Sequence, residues 1–109
     1  MLIDANNLVK YLNENLPELH FISGNSSNAD ASTYYVSIHE FNDSSLENYI
    51  VINKYNMTSF QNDAESITTA IQEYGRKCGL QIISPKELPK ENSSFIHYVL
   101  GVKTSRTNS

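Results

Sequence analysis

The hydrophobic pattern of residues 49–74 changes its period halfway, and this change limits the folds open to the chain. The first part, "YIVINKY" (49–55), is short, apolar and rich in β-branched and aromatic residues, which is typical of a β-strand. A polar turn follows, and apolar residues then recur at helical spacing. They are Ala64, Ile67, Ala70, Ile71 and Tyr74. The segment therefore predicts a strand followed by an amphipathic helix, with Thr58 or Ser59 as its cap and Gly75 or Gly79 at its end.

The same two periods recur along the rest of the chain. Asp4 can cap a first helix over 4–15, in which Leu8, Leu12 and Leu16 share one face, and Pro17 ends it. Strands are predicted at 19–23, 33–41, 80–84 and 94–103. The polar sequence between 41 and 49 makes the second and third strands an antiparallel hairpin.

These elements predict an α+β fold with the order α-β-β-β-α-β-β. We expect a mainly antiparallel sheet of four to five strands with two helices packed on one face. Residues 1–103 form a single domain in this interpretation, and 104–109 form a polar C-terminal tail. Residues 24–32 and the tail have no apolar anchor, so we expect both segments to be mobile.

Charge is unevenly distributed over the 109 residues, whose formal net charge is −4. Residues 1–85 contain four basic and ten acidic groups, whereas residues 86–109 contain four basic and two acidic groups. An acidic body argues against direct nucleic-acid binding, which requires clustered Lys and Arg. No apolar run is long enough to span a membrane. The first residues have no signal-peptide pattern and the chain has one cysteine, so we expect synthesis in a reducing cytoplasm.

Residues that could carry chemistry are few and scattered. His20, His39 and His97 all lie in predicted strands, but their spacing does not match a zinc site. Cys78 follows two basic residues, which could activate a thiol, although a buried structural cysteine is the expectation. The carboxylate pairs fit helix starts and solvated surface, and no glycine-rich phosphate loop occurs. We therefore predict neither an enzyme nor a bound metal or cofactor.

One face of the predicted sheet is more apolar than is usual for a face exposed to solvent. In the last strand Ile96, Tyr98, Leu100 and Val102 form the face expected to contact the helices. The other face is aromatic and half apolar, and such patches on small proteins usually mark partner surfaces. We predict a subunit interface there. Its residues are Tyr35, His39, Phe41, Tyr49, Val51, Tyr55, Phe95, His97 and Val99. The alternatives are a chance spread of tyrosines or cover by the loop at 85–94.

The element order and the strand–turn–helix unit resemble the tail-terminator and minor capsid proteins of long-tailed bacteriophages. Those proteins have about this length and open with an amphipathic helix, as "NNLVKYLNENLPEL" would here. A hairpin, a helix with spaced small residues and a closing strand follow, and Ala64 and Ala70 meet the small-residue pattern. The family often has an arginine near the end of the strand before this helix, where Lys54 is the nearest basic residue here.

The resemblance implies a structural role in the virion, at the head-proximal end of the tail. Such proteins form a homo-oligomeric ring, commonly a hexamer, that stops polymerisation of the tail-tube protein and docks the head-connector protein. DNA would only pass through the bore, whose acidic wall would repel it.

Two other functions compete with the ring. A small acidic binding module, for example an immunity protein that blocks a basic toxin, fits the size, charge and apolar face. It would be a monomer or dimer that binds a foreign chain, whereas a ring subunit self-associates. The third possibility is an enzyme subunit whose active site forms between protomers, and only the histidines favour it.

Overall fold

The first helix begins at a capping residue and buries one narrow apolar stripe. In this computed structural model, which describes residues 2–24, 32–40, 48–54, 57–84 and 97–104, helix α1 spans Ala5–Asn15. The Asp4 carboxylate caps it by accepting hydrogen bonds from the backbone N–H groups of Asn6 and Asn7, at 2.7 and 3.4 Å. Leu8 and Leu12 are completely buried, and the predicted helix is thereby confirmed.

The second helix begins later than the sequence pattern indicates. Helix α2 spans Ala64–Lys77 with Asp63 as its N-cap, and Met57–Asn62 forms a 3₁₀ helix before it. The prediction that Thr58 or Ser59 caps α2 is therefore wrong. This 3₁₀ helix contains Phe60, which is buried among core rings. Gly79, with φ +73°, ends the helix in the left-handed conformation that glycine adopts without strain.

The five strands are those predicted, with shifts of one or two residues in the described part of the chain. They are β1 (His20–Ser23), β2 (Thr33–Glu40), β3 (Asn48–Lys54), β4 (Leu80–Ile83) and β5 (His97–Thr104). Thr104, assigned to the tail from sequence, closes β5 opposite Leu80. The mobility predicted for 24–32 and 104–109 falls mostly on residues outside the described ranges.

The strands form one sheet in the order β1-β2-β3-β5-β4. All neighbours are antiparallel except β1 and β2, which are parallel, so the α+β class and the mainly antiparallel sheet are confirmed. The apolar strand β5 lies between β3 and β4 rather than at an edge.

Alternation along the strands sends every second residue into one hydrophobic core, and we call this side of the sheet the core face. Its fully buried members are Phe21, Tyr34, Val36, Ile50, Ile52, Leu100 and Val102. Leu8 and Leu12 of α1 and Ile67 and Ile71 of α2 belong to the same cluster. Placement of both helices on one face stays a prediction, which this shared cluster and the contacts between α1 and α2 support.

The outer edge of β1 is closed by a side chain rather than by another strand. The Asn13 amide donates to the carbonyl oxygen of Phe21 at 3.0 Å and accepts from the N–H of the same residue at 2.9 Å. One amide thus satisfies both backbone groups that Phe21 directs away from β2. An edge strand with such a cap is a poor template for pairing with another chain.

Candidate functional site

The second side of the sheet, which we call the outer face, carries the predicted interface. Strand register places Tyr35 opposite Asn53, Ser37 opposite Val51 and His39 opposite Tyr49. The same register continues through Val51 to Val99 and through Asn53 to the backbone position of His97. Five predicted interface residues therefore share this face with the position of His97. Phe41, Tyr55 and Phe95 lie outside the described residues.

The outer face is open on its β1–β2–β3 half and closed around β5. Val99 retains only 9% of its surface, so little of its side chain is available to a partner. Tyr35 and Val51 are half-buried and His39 is exposed. The predicted interface therefore narrows to the half of the sheet formed by β2, β3 and the adjacent edge strand.

A shallow groove of about 420 Å³ runs over this open half, and we call it the sheet groove. Its walls are formed by Gly24, Tyr35, Ser37, His39, Tyr49, Val51 and Asn53. Ile22 pairs with Tyr35 on the same face and is 42% exposed, the highest value for a large aliphatic side chain in the described part. Burial of this surface would be favourable by about 25 cal/mol per Å² of apolar area.

Sequence reasoning missed four members of this surface, namely Ile22, Gly24, Ser37 and Asn53. Alternation within "HFIS" places Ile22 and Phe21 on different faces of the sheet. Only the parallel pairing of β1 with β2 shows that Ile22 lies on the outer face. Ser37 and Asn53 share the period of this face, but as polar residues they add nothing to the apolar pattern that predicts an interface. Gly24 reaches the groove because its backbone N–H donates to the carbonyl of Val36 at 2.8 Å.

The polar groups of the sheet groove can form hydrogen bonds but do not form a catalytic set. The Ser37 hydroxyl and the His39 Nε2 atom are 3.0 Å apart. No carboxylate occupies an outer-face position in the five described strands, so the third member of a hydrolytic triad is not supplied there. In the described ranges no three His, Cys, Asp or Glu side chains come together as metal ligands.

Within the described ranges, a large pKa shift is found at the buried Tyr34 and not in the sheet groove. The Tyr34 hydroxyl donates to Asp63 Oδ2 at 2.5 Å, and Lys54 Nζ lies 3.5 Å from the same hydroxyl. Burial, followed by the Asp63 carboxylate, raises the pKa of Tyr34 far above its ordinary value. Because the phenol stays neutral, Tyr34 of β2 can donate this hydrogen bond to Asp63, which connects the start of α2 to the sheet. Asp63 accordingly makes no side-chain cap bond to its own helix.

A second groove, of about 610 Å³, separates the outward sides of α1 and α2, and we call it the helix groove. Tyr11 of α1 and Tyr74 of α2 stand with ring centroids 5.2 Å apart, and Lys77 Nζ lies 5.2 Å from the Tyr11 ring. Burial and the neighbouring Cys78 thiol raise the pKa of Tyr74. Cys78 itself is exposed, which corrects the expectation of a buried structural thiol.

Comparison of the chain with protein-family models, with curated protein sequences and with solved structures finds no match. Neither helix of the described part is long and apolar enough to cross a membrane. The sheet groove, the helix groove and the distribution of charge between them are therefore the features from which a function can be proposed.

Proposed function

We propose that this chain is a structural subunit that self-associates through the outer face of its sheet, as a phage tail terminator would. The observation that carries the proposal is the open half of that face. Exposed Ile22 and the half-buried Tyr35 and Val51 lie together on it. A sheet with one solvated side normally presents polar residues there, so an aromatic and aliphatic patch suggests a protein partner.

The observed order of elements supports a tail terminator among the possible kinds of self-associating protein. It is α-β-β-β-α-β-β, the order on which the resemblance to tail terminators was based. In this proposal the strand–turn–helix unit of β3 and α2 is scaffold, and the hydrogen bond from Tyr34 of β2 to Asp63 joins the start of α2 to the sheet. The partners would be further copies in a ring, the tail-tube protein and the head connector, at the head-proximal end of the virion tail.

The size of the assembled species tests this function. Native mass spectrometry and sedimentation should give a closed oligomer, either alone or after addition of a tail-tube protein, instead of the 12.3 kDa monomer. The ring should also cap preformed tubes and limit their growth. A chain that remains monomeric in both conditions at high concentration would rule the proposal out.

A toxin-immunity function is the second candidate, and the acidic rim of the helix groove favours it. Glu65 and Glu73 line this groove together with one cation, Lys77, and the net charge of the chain is −4. A basic toxin domain could be recognised by such a surface. The two functions differ in stoichiometry, because an immunity protein would form a one-to-one complex with a foreign basic chain and would not assemble into a ring.

A further inference from the structure

A buried asparagine interrupts the apolar pattern on the core face of β3. Positions 48, 50 and 52 belong to this face, and Ile50 and Ile52 are fully buried there. Asn48 occupies the first of the three positions and keeps only 2% of its surface. A buried side-chain amide is costly unless its polar atoms are hydrogen-bonded, so the partners of Asn48 indicate what this residue does.

Asn48 joins the N-terminal residues to the end of the β2–β3 hairpin. Its Oδ1 atom accepts from the backbone N–H of Leu2 at 2.8 Å, and its Nδ2 group donates to the carbonyl oxygen of His39 at 3.5 Å. A backbone N–H bonds to the amide oxygen and a carbonyl to the amide nitrogen, so the two partners fix the orientation of the side chain. Ile3 follows Leu2, is 5% exposed and belongs to the hydrophobic core. We call Leu2 and Ile3 the N-terminal strap.

The residues beside Asn48 form one end of the sheet groove. His39 pairs with Tyr49 across the hairpin, and both residues line the groove on the outer face. Asn48 is bonded to the carbonyl oxygen of His39 and directly precedes Tyr49 in β3. Its side chain therefore contacts the N-terminal strap on the core face, while its neighbours on both strands carry the groove on the outer face.

We infer that the N-terminal strap is a conformational device that fixes the His39–Tyr49 end of the sheet groove through Asn48. When the strap is displaced, the Asn48 amide loses the shorter of these two hydrogen bonds inside the core. The hairpin end must then move to give the amide another partner or access to water. Coupling between two sites is reciprocal, so a partner that fills this end of the groove would also hold the strap in place. The inference concerns the free chain and does not require that the chain forms a ring.

Removal of one backbone donor tests the coupling. Leu2→Pro deletes the N–H group that donates to Asn48, because proline has no backbone N–H. Leu2→Ala is the matched control, since it keeps this N–H and changes only an exposed side chain. Leu2 lies outside the core cluster, so folding should persist in both variants.

Backbone amide exchange followed by NMR measures the local opening that each variant causes. In Leu2→Pro, exchange over 38–40 and 48–50 should become about fivefold faster than in wild type, because one hydrogen bond is lost. Exchange at Tyr34 and Ile52, at the other end of the hairpin, should change by less than about twofold. The Leu2→Ala protein should match wild type at both ends.

A double-mutant cycle separates coupling through Asn48 from a general loss of stability. Asn48→Ala removes the amide that both partners share. In this background Leu2→Pro should change exchange at the hairpin end by less than about twofold, because the group through which it acts is absent. The His39 ring gives a second measurement, since its NMR signals should shift in Leu2→Pro and keep their positions in Leu2→Ala.

The results that would overturn this inference differ from those that would overturn the proposed function. Equal exchange in Leu2→Pro and Leu2→Ala, or a uniform rise over both ends of the hairpin, would show that the strap does not fix the groove. An undiminished effect of Leu2→Pro in the Asn48→Ala background would show that Asn48 is not the connection. None of these results depends on assembly, whereas wild-type protein that never associates refutes the proposed function and leaves the strap untouched.

Discussion

The two faces of the sheet are built from the same strands, yet they differ in how far their side chains are buried. On the core face, alternate residues of β2, β3 and β5 are fully buried and belong to one cluster with both helices. On the outer face, the next residues along the same strands remain half-buried or exposed from β1 to β3, apart from Thr33 at the start of β2, which is buried. We therefore expect folding stability to depend on the core face and association to depend on the outer face.

The largest expected effect comes from the centre of the core face. Leu100→Ala removes a fully buried side chain opposite Ile50, and we expect a loss of about 2–5 kcal/mol in the free energy of unfolding. The matched change on the outer face is Val51→Ala, at a half-buried position of the adjacent strand, which should cost less than about 1.5 kcal/mol. Urea unfolding measures both, and equal losses would remove the distinction between the faces.

The buried phenol gives the next effect and adds a dependence on pH. Tyr34→Phe leaves the Asp63 carboxylate without its donor and should cost about 1–3 kcal/mol. The pKa of Tyr34 is higher in the folded than in the unfolded protein, because of burial first and Asp63 second. Its contribution to stability is therefore complete below pH of about 10 and is lost as pH rises further.

Thermal or urea unfolding between pH 8 and 11 tests this sign. Wild type should lose stability above pH of about 10 more steeply than Tyr34→Phe. Tyr35→Phe is the matched control, because it removes a hydroxyl from the adjacent residue on the outer face, away from Asp63, and should keep the wild-type slope. Parallel slopes for wild type and Tyr34→Phe would contradict the prediction.

A smaller effect is expected where α2 touches β4. A Cβ added at Gly75 would lie 2.6 Å from Ile82 Cγ1 and 3.3 Å from the Leu80 carbonyl oxygen. Overpacking therefore outweighs the gain in helix propensity, and Gly75→Ala should destabilise by about 1–2 kcal/mol. In a double variant with Ile82→Ala the two losses should not add, because the clash is absent. Additive losses would show that the contact is not the cause.

The smallest effect on folding is expected on the outer face, where association should respond instead. Ile22→Thr keeps a β-branched side chain at an exposed strand position, so unfolding should change by about 0.5 kcal/mol or less. Assembly should weaken, because apolar surface beside the sheet groove is lost. Leu2→Thr, at the other exposed large aliphatic residue of the described part, is the control that should leave assembly unchanged.

Local pattern sufficed for the elements of this fold but not for the surface they create. Alternation within β2 and β3 and the stripes of α1 and α2 predict helices, strands and most of the core, because each signal lies within a few residues. The position of β5 between β3 and β4 depends on long-range pairing, which no local signal encodes. For that reason Val99 was assigned to an open surface when it is buried, and Ile22 was overlooked although it is exposed.

The amide cap on β1 also has a consequence for how the chain folds as it leaves the ribosome. Asn13 and Phe21 are only eight residues apart, so their two hydrogen bonds close a short loop and can form before any strand pair involving β3 or β5. The first strand to emerge would then have its outward edge satisfied while the rest of the sheet is still being synthesised. A nascent chain protected in this way exposes less pairing edge to neighbouring copies that are synthesised on the same message.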